Sequence, residues 1–311
     1  MPAHITHSLF GAAVLSSGIC EPLKDGDSVC GYALDRTAFE WGLQGPDLLF
    51  FATLSGNKKL PHYGNVMHGQ ETDRLFVALQ QYAVSAKKTK GYKAVYSYIL
   101  GFCCHYVLDK NSHPFVYYWQ NEAQSKNPRL HSVHNKLESD IDSAMSERRL
   151  QRSVREFRMT EAVMRDNSVC RPISKLYAYL FTELYQLPLS ADEVLLCFTG
   201  ARRYFRFIID RGGRRHLAKA VDFIIRKKGA VFHMLRVTKY DASVMNDEHR
   251  HWVNLTRPEV TRKDSFEELF DDSVREAAEL IGKIASNILS ETPAQVTFGD
   301  TFDNGMTDQH S

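Results

Sequence analysis

Histidines and carboxylates recur at helical spacing in one part of this chain. In the run GFCCHYVLDKNSHPF, Gly101–Phe115, the residues His105, Asp109 and His113 follow one another every four positions. A second ladder, His134, Glu138 and then Asp142, comes downstream, with His131 one turn ahead of it. Side chains four apart on a helix share a face, about 6 Å apart along its axis. Two helices that turn such rows toward each other make an interior metal site. Neutral imidazole and carboxylate are the usual zinc ligands where thiolates are absent, and a catalytic site keeps one position for water.

The surrounding residues bear on each candidate. Tyr96, Tyr98, Ile99, Leu100, Phe102, Tyr106, Val107 and Leu108 put apolar chains on nearly every side of the first segment, which predicts an interior helix. An aspartate there is costly unless paired or coordinated. A Lys or Arg partner for Asp109 is the alternative; its flanking histidines favour a metal. Pro114 is expected to end or kink this helix just after His113. For the second ladder the alternative is a solvated face. Lys136, Arg148 and Arg149 fall off that stripe, however, and do not supply its acids with helical ion-pair partners.

Upstream lie further candidates. Gly45-Pro46-Asp47 delivers a carboxylate at the edge of an apolar run, where Asp47 taken alone reads as a helix N-cap. His68 is expected at the start of the helix HGQETDRLFVALQQYAVSA, after a loop over residues 53–65 that carries His62. His4 and His7 share a face of a short helix over residues 3–18. This set is too large for one zinc, and several ions sharing a carboxylate, with Asp109 central, suit it better. Clustered divalent ions bind a phosphate oxygen, lower the pKa of a bound water and stabilise the leaving oxygen, which points to phosphoester hydrolysis. HExxH, GxSxG and P-loop motifs are absent from the sequence.

The rest of the chain predicts a helical body. Helices are expected over residues 33–43, 131–149, 158–187, 191–210 and 265–290, the last opened by a Ser265/Glu268 capping box. Residues 21–31 and 121–130 read as loops. The fold class is therefore all-α: one domain over residues 1–291, with the metal site in 1–142 and a helical extension over 150–291. The polar stretch 292–311 reads as a disordered tail.

Composition sets outer bounds. The 311 residues are 43% apolar and 24% charged, ordinary for a globular protein, with a formal net charge of +2. A nucleic-acid partner would need a local patch, and residues 202–228 offer one, with ten Lys or Arg against two Asp and interleaved aromatics. A solvated helix face is the alternative there. Six cysteines show neither zinc-ribbon nor disulfide-framework spacing, and Cys103–Cys104 reads as two small buried residues in a reducing compartment. No apolar run is long enough to span a membrane, and the N-terminus does not read as a signal peptide, so a cytoplasmic location is expected.

Taken in order, the N-terminal histidines, the GPD turn, HYVLDKNSHP and HNKLE resemble the zinc-dependent phospholipase C family, related in fold to the P1-type nucleases. The resemblance covers about residues 4–142 in its motifs. It implies a multi-helix bundle around up to three zinc ions, a phosphodiester substrate such as a phospholipid, and attack on phosphorus by a metal-bound hydroxide. By that resemblance Asp47, His68, His105 and Asp109 hold one zinc, and His113, His134 and Glu138 a second. Asp109 bridges to a third, completed through His4, His7 or the Pro2 amine after loss of Met1. His131 is the alternative to His113. Asp47 is the candidate to orient or deprotonate the attacking water. A P1-type nuclease, or a non-catalytic zinc-stabilised helical binding protein, is the competing expectation.

Overall fold

The computed structural model describes residues 4–23, 26–128, 132–158, 163–227, 229–297 and 299–304, of which 20–23 and 26 are described by their backbone alone. Its spine is α5, Tyr92–Lys126, a 35-residue helix buried over most of its circumference. Mostly apolar residues from Ala94 to Leu108 leave this part of it no side suited to water, so other elements cover it there all round. α2, Arg36–Gly42, lies closest. A Cβ at Gly101 would stand 2.1 Å from the Phe39 carbonyl oxygen, and one at Gly42 would stand 2.2 Å from that of Tyr98. Only glycines permit this approach.

Around that pair lie α1 (His4–Val14), α3 (Leu60–Gly69), α4 (Thr72–Ala86) and α6 (Val133–Leu150). α7 (Asn167–Glu183), α8 (Ala191–Phe207), α9 (Arg214–Ile224) and α10 (Phe266–Leu289) complete the bundle. A 3₁₀ helix, Gly45–Ser55, joins α2 to α3 and packs against α8. Capping boxes open α8 at Ser190/Glu193 and α10 at Ser265/Glu268, the latter as the sequence predicts.

The fold is all-α with two small antiparallel sheets. One, β1–β3 (Cys20–Leu23, Gly26–Val29, Tyr32–Ala33), occupies the stretch expected to be a loop. The other is a hairpin, β4–β5 (Trp252–Asn254, Arg257–Arg262), whose Trp252 ring meets Phe115 of α5 edge-on at 5.5 Å. Cys103 and Cys104 are fully buried with free thiols whose pKa values burial pushes up. Among the described residues no helix is long and apolar enough to cross a membrane.

Three local expectations need correction. α5 does not end at or near Pro114 but runs on to Lys126, into the segment 121–130 expected to be a loop. Proline removes the donor that the carbonyl four residues back would receive. That carbonyl, of Lys110, instead accepts from Asn304 Nδ2 at 3.4 Å. Second, His68 lies in the last turn of α3, a helix begun at Leu60-Pro61, because Glu71 in the left-handed region breaks the chain before α4. Third, residues 292–297 and 299–304 do not trail into solvent. Asp73 accepts from Thr297 Oγ1, Gly299 N and Gln295 Nε2, and Phe302 is fully buried. Residues 305–311 lie outside those described.

Candidate metal centre

Five elements converge on one buried place. α1 brings His7, the 3₁₀ helix brings Asp47, and α3 brings His68. α5 brings His105, Asp109 and His113, and α6 brings His134 and Glu138. Gly45, with φ of +49°, makes the turn into the 3₁₀ helix, and a Cβ there would strike the His105 ring at 2.3 Å. The carbonyl of Gly45 accepts from Tyr177 Oη at 2.7 Å, which ties the turn to α7.

The ligand-type atoms lie close together. His7 Nε2 is 3.1 Å from Asp109 Oδ1, and His105 Nε2 is 3.0 Å from Asp109 Oδ2. His68 Nε2 is 3.2 Å from Asp47 Oδ1 and 4.0 Å from Asp109 Oδ2. His134 Nε2 is 2.8 Å from Glu138 Oε1. Three groups result, their ligand atoms within 4.8 Å of one another: His7, His105 and Asp109; Asp47, His68 and His105; His113, His134 and Glu138. Two atoms bound to one zinc, each about 2 Å away, can be at most about 4 Å apart. The close pairs all meet that limit.

Orientation matters as much as proximity. Four histidines donate Nδ1 to an oxygen outside the cluster: His68 to Gly64 O (2.8 Å), His105 to Leu43 O (3.1 Å), His113 to Phe302 O (2.6 Å) and His134 to Gln120 Oε1 (3.0 Å). Each donation engages Nδ1 and leaves Nε2 as the nitrogen available to a metal, the arrangement found behind metal-ligating histidines. Both oxygens of Asp47, Nε2 of His105 and Oδ2 of Asp109 are buried without a hydrogen bond. A carboxylate so placed is expensive unless a cation neutralises it.

Proton affinities reflect the same crowding of acids. Burial pushes the Asp109 carboxyl up, but the charges of His105, His113 and His7 outweigh it and hold it well below the usual range. Burial likewise opposes ionisation of Glu138, and His134 overcomes it, lowering the pKa. For His68 burial disfavours the charged ring, yet Asp47, Asp303 and Asp109 together raise its pKa to about 9. The site is built to attract positive charge.

A family model described as zinc dependent phospholipase C matches residues 5–184. The chain belongs to that family. No curated protein and no solved structure matches it. In this member of the family the donor set suits zinc, being imidazole nitrogens and carboxylate oxygens without thiolates. The matched stretch contains every residue of the three groups and ends with α7.

The structure divides the sequence candidates. His7, Asp47, His68, His105, Asp109, His113, His134 and Glu138 come together. His4 stands outside the three groups: its Nδ1 donates to Gln44 Oε1 at 3.0 Å, and its ring lies among Phe51, Tyr204 and Phe205. Burial, then the charge of Arg236, lowers the pKa of His4 well below its ordinary value. Asp47 is no N-cap, since Gln44 holds that position. Asp142, third rung of the second ladder, is turned away: it accepts from Thr6 N and Oγ1 and from Arg236 Nε at 2.7 Å. His131 lies outside the described residues, and His62 is exposed.

Two contributors escape the sequence reading. Asp303 Oδ1 accepts from Tyr117 Oη at 2.8 Å and lies 3.6 Å from His113 Nδ1. Its only sequence signal is the aromatic Phe302 beside it in an otherwise polar stretch. Arg236, 1% exposed, anchors the row behind Glu138 and has no motif around it to announce it.

Proposed function

We propose that this chain hydrolyses phosphodiesters with up to three zinc ions as cofactor, phospholipids being the substrate class that the family's description supports. The observation that carries this reading is Asp47: a buried carboxylate with His68 Nε2 3.2 Å from its Oδ1 and His105 in the same group of ligand-type atoms. Asp47, His68, His105 and Asp109 would hold one ion; His113, His134 and Glu138 a second. Asp109, with one oxygen toward His7 and the other toward His105, would bridge to a third, with His7 taking the role of N-terminal ligand.

Zinc in such a site supplies charge that lowers the pKa of water and neutralises phosphoryl oxygens. The chain's residues do the rest. Asp47 orients the attacking water and takes its proton. The new oxygen–phosphorus bond forms as the bond to the leaving alkoxide breaks, and a proton passes to that alkoxide. Gly64 O, Leu43 O, Phe302 O and Gln120 Oε1 keep the imidazoles in the tautomer this requires.

The test pairs metal analysis with hydrolysis of bis(4-nitrophenyl) phosphate. Turnover should disappear with chelator and return with zinc. Asp109→Asn, with helical content checked by circular dichroism, should lose more than one metal per chain because it removes a shared ligand. Turnover indifferent to chelator, or a fully metallated protein without turnover, counts against catalysis; loss of no metal refutes the bridging role.

A further inference from the structure

We propose that helix α9, Arg214–Ile224, with the residues flanking it, docks the protein onto an anionic phospholipid surface. α9 is strongly amphipathic but set with its apolar stripe outward. Leu217, Ala220, Val221 and Ile224 share one side of the helix, and only Ala218 and Asp222 are buried. Leu217 is 69% exposed, Ile224 75%, and neighbouring Phe223 85%. A helix of a globular protein ordinarily does the reverse, turning its apolar stripe to the core. Here the polar residue holds the helix: the Asp222 carboxylate accepts from the backbone N–H groups of Gly229, Val231 and Phe232. Contiguous exposed apolar side chains of this kind mark an interaction surface.

Charge selects the partner. Residues 202–228 contain ten Lys or Arg, and their two acids, Asp210 and Asp222, are both buried. The fixed charge this segment shows to water is therefore positive. Exposed aliphatic and aromatic chains beside cationic ones are the composition of a helix that lies in a lipid interface, its basic side chains reaching acidic headgroups. Single-stranded nucleic acid would use the aromatic and basic groups but give Leu217, Ile224 and Ile225 nothing to bury in. The proposal deepens the phospholipid reading and rests on it for its meaning, yet binding to a vesicle requires no turnover, so the two can fail separately.

The full-length chain is sedimented with vesicles of phosphatidylcholine mixed with phosphatidylglycerol, and with vesicles of phosphatidylcholine alone, and hydrolysis of soluble bis(4-nitrophenyl) phosphate is followed in parallel. The wild type should bind the mixed vesicles, more weakly as salt is raised. Leu217→Ser/Ile224→Ser should lower vesicle partition by about tenfold or more, since one buried aliphatic chain is worth about that factor. Its turnover of the soluble substrate should be unchanged. Lys219→Glu/Arg226→Glu should abolish the preference for the acidic lipid. Absence of vesicle binding by the wild type at low salt overturns the proposal, as does equal binding by the serine variant. So does self-association through this face, seen as a wild-type dimer and a serine-variant monomer, or binding of an RNA oligonucleotide in place of vesicles. Vesicle binding without soluble turnover upholds the docking surface and counts only against the hydrolase reading.

Discussion

Phe302 offers the sharpest test of how the metal centre is held. Its ring contacts His68, Phe102, His105 and Tyr106 at centroid distances of 5.0–5.9 Å, and its carbonyl receives Nδ1 of His113. Its own N–H donates to His68 O at 3.1 Å, so one residue ties together two candidate zinc ligands. Phe302→Ala in a closed core would cost about 3–5 kcal/mol. Here the loss is capped, because residues 299–304 belong to no helix or strand and can undock without unfolding the bundle. The global urea midpoint should therefore move less than that figure implies. Zinc affinity should carry the main effect. With the anchor gone His113 loses the acceptor that fixes its tautomer, and loss of such a partner weakens metal binding by about 10–100-fold. Competition against a chromophoric chelator should resolve the zinc held through His113 as the most weakened, while limited proteolysis should show residues 299–304 newly cleavable. Phe302→Leu, which keeps apolar bulk, should restore most of the affinity. Unchanged affinity at every zinc in a protein whose tail has been released would refute the argument.

Two further expectations follow from half-buried and buried charges away from the cluster. Burial, opposed only weakly by the Ser8 hydroxyl and Arg36, raises the Glu40 pKa from its ordinary 4.5 to about 7. The unfolded chain then ionises first, so stability contributed at Glu40 falls as pH rises from about 4.5 to about 7. Glu40→Gln should match the wild type in urea titrations at pH 4 and exceed it at pH 8, by at most about 3 kcal/mol. A gain independent of pH would contradict the assignment. Arg236→Met leaves the buried Asp142 carboxylate without its ion-pair partner and should destabilise by about 3–5 kcal/mol. Asp142→Leu/Arg236→Met should recover most of that, and a single variant as stable as the wild type would show the pair to be unimportant.

What the sequence displays and what it hides divides along the range of the interactions concerned. His105, Asp109 and His113 can be read as a row because the helix that carries them sets their spacing locally. His134 and Glu138 are legible for the same reason. The extension of that row to Asp142 fails because its carboxylate is claimed by Arg236, ninety-four positions away, which no local pattern announces. Asp47 illustrates the same contest. Its surroundings in sequence suit a cap, and only the arrival of His68 on another helix turns it into a candidate ligand.

The C-terminal segment carries the lesson furthest. Read alone, residues 292–311 are too polar to build a core, and Pro114 reads as the end of a helix or a kink in it. Each judgement overlooks the other stretch. The carbonyl that Pro114 leaves without a helical donor is taken by Asn304, and the imidazole one residue earlier donates to Phe302. Docking of the tail thus offsets a defect in α5 at the point where α5 presents His113. A buried proline in the long helix and an aromatic in a polar tail are weak signals separately. Together they locate a seam where the end of the chain closes over the second group of ligands, so the geometry of His113 depends on residues outside the stretch shared with the family.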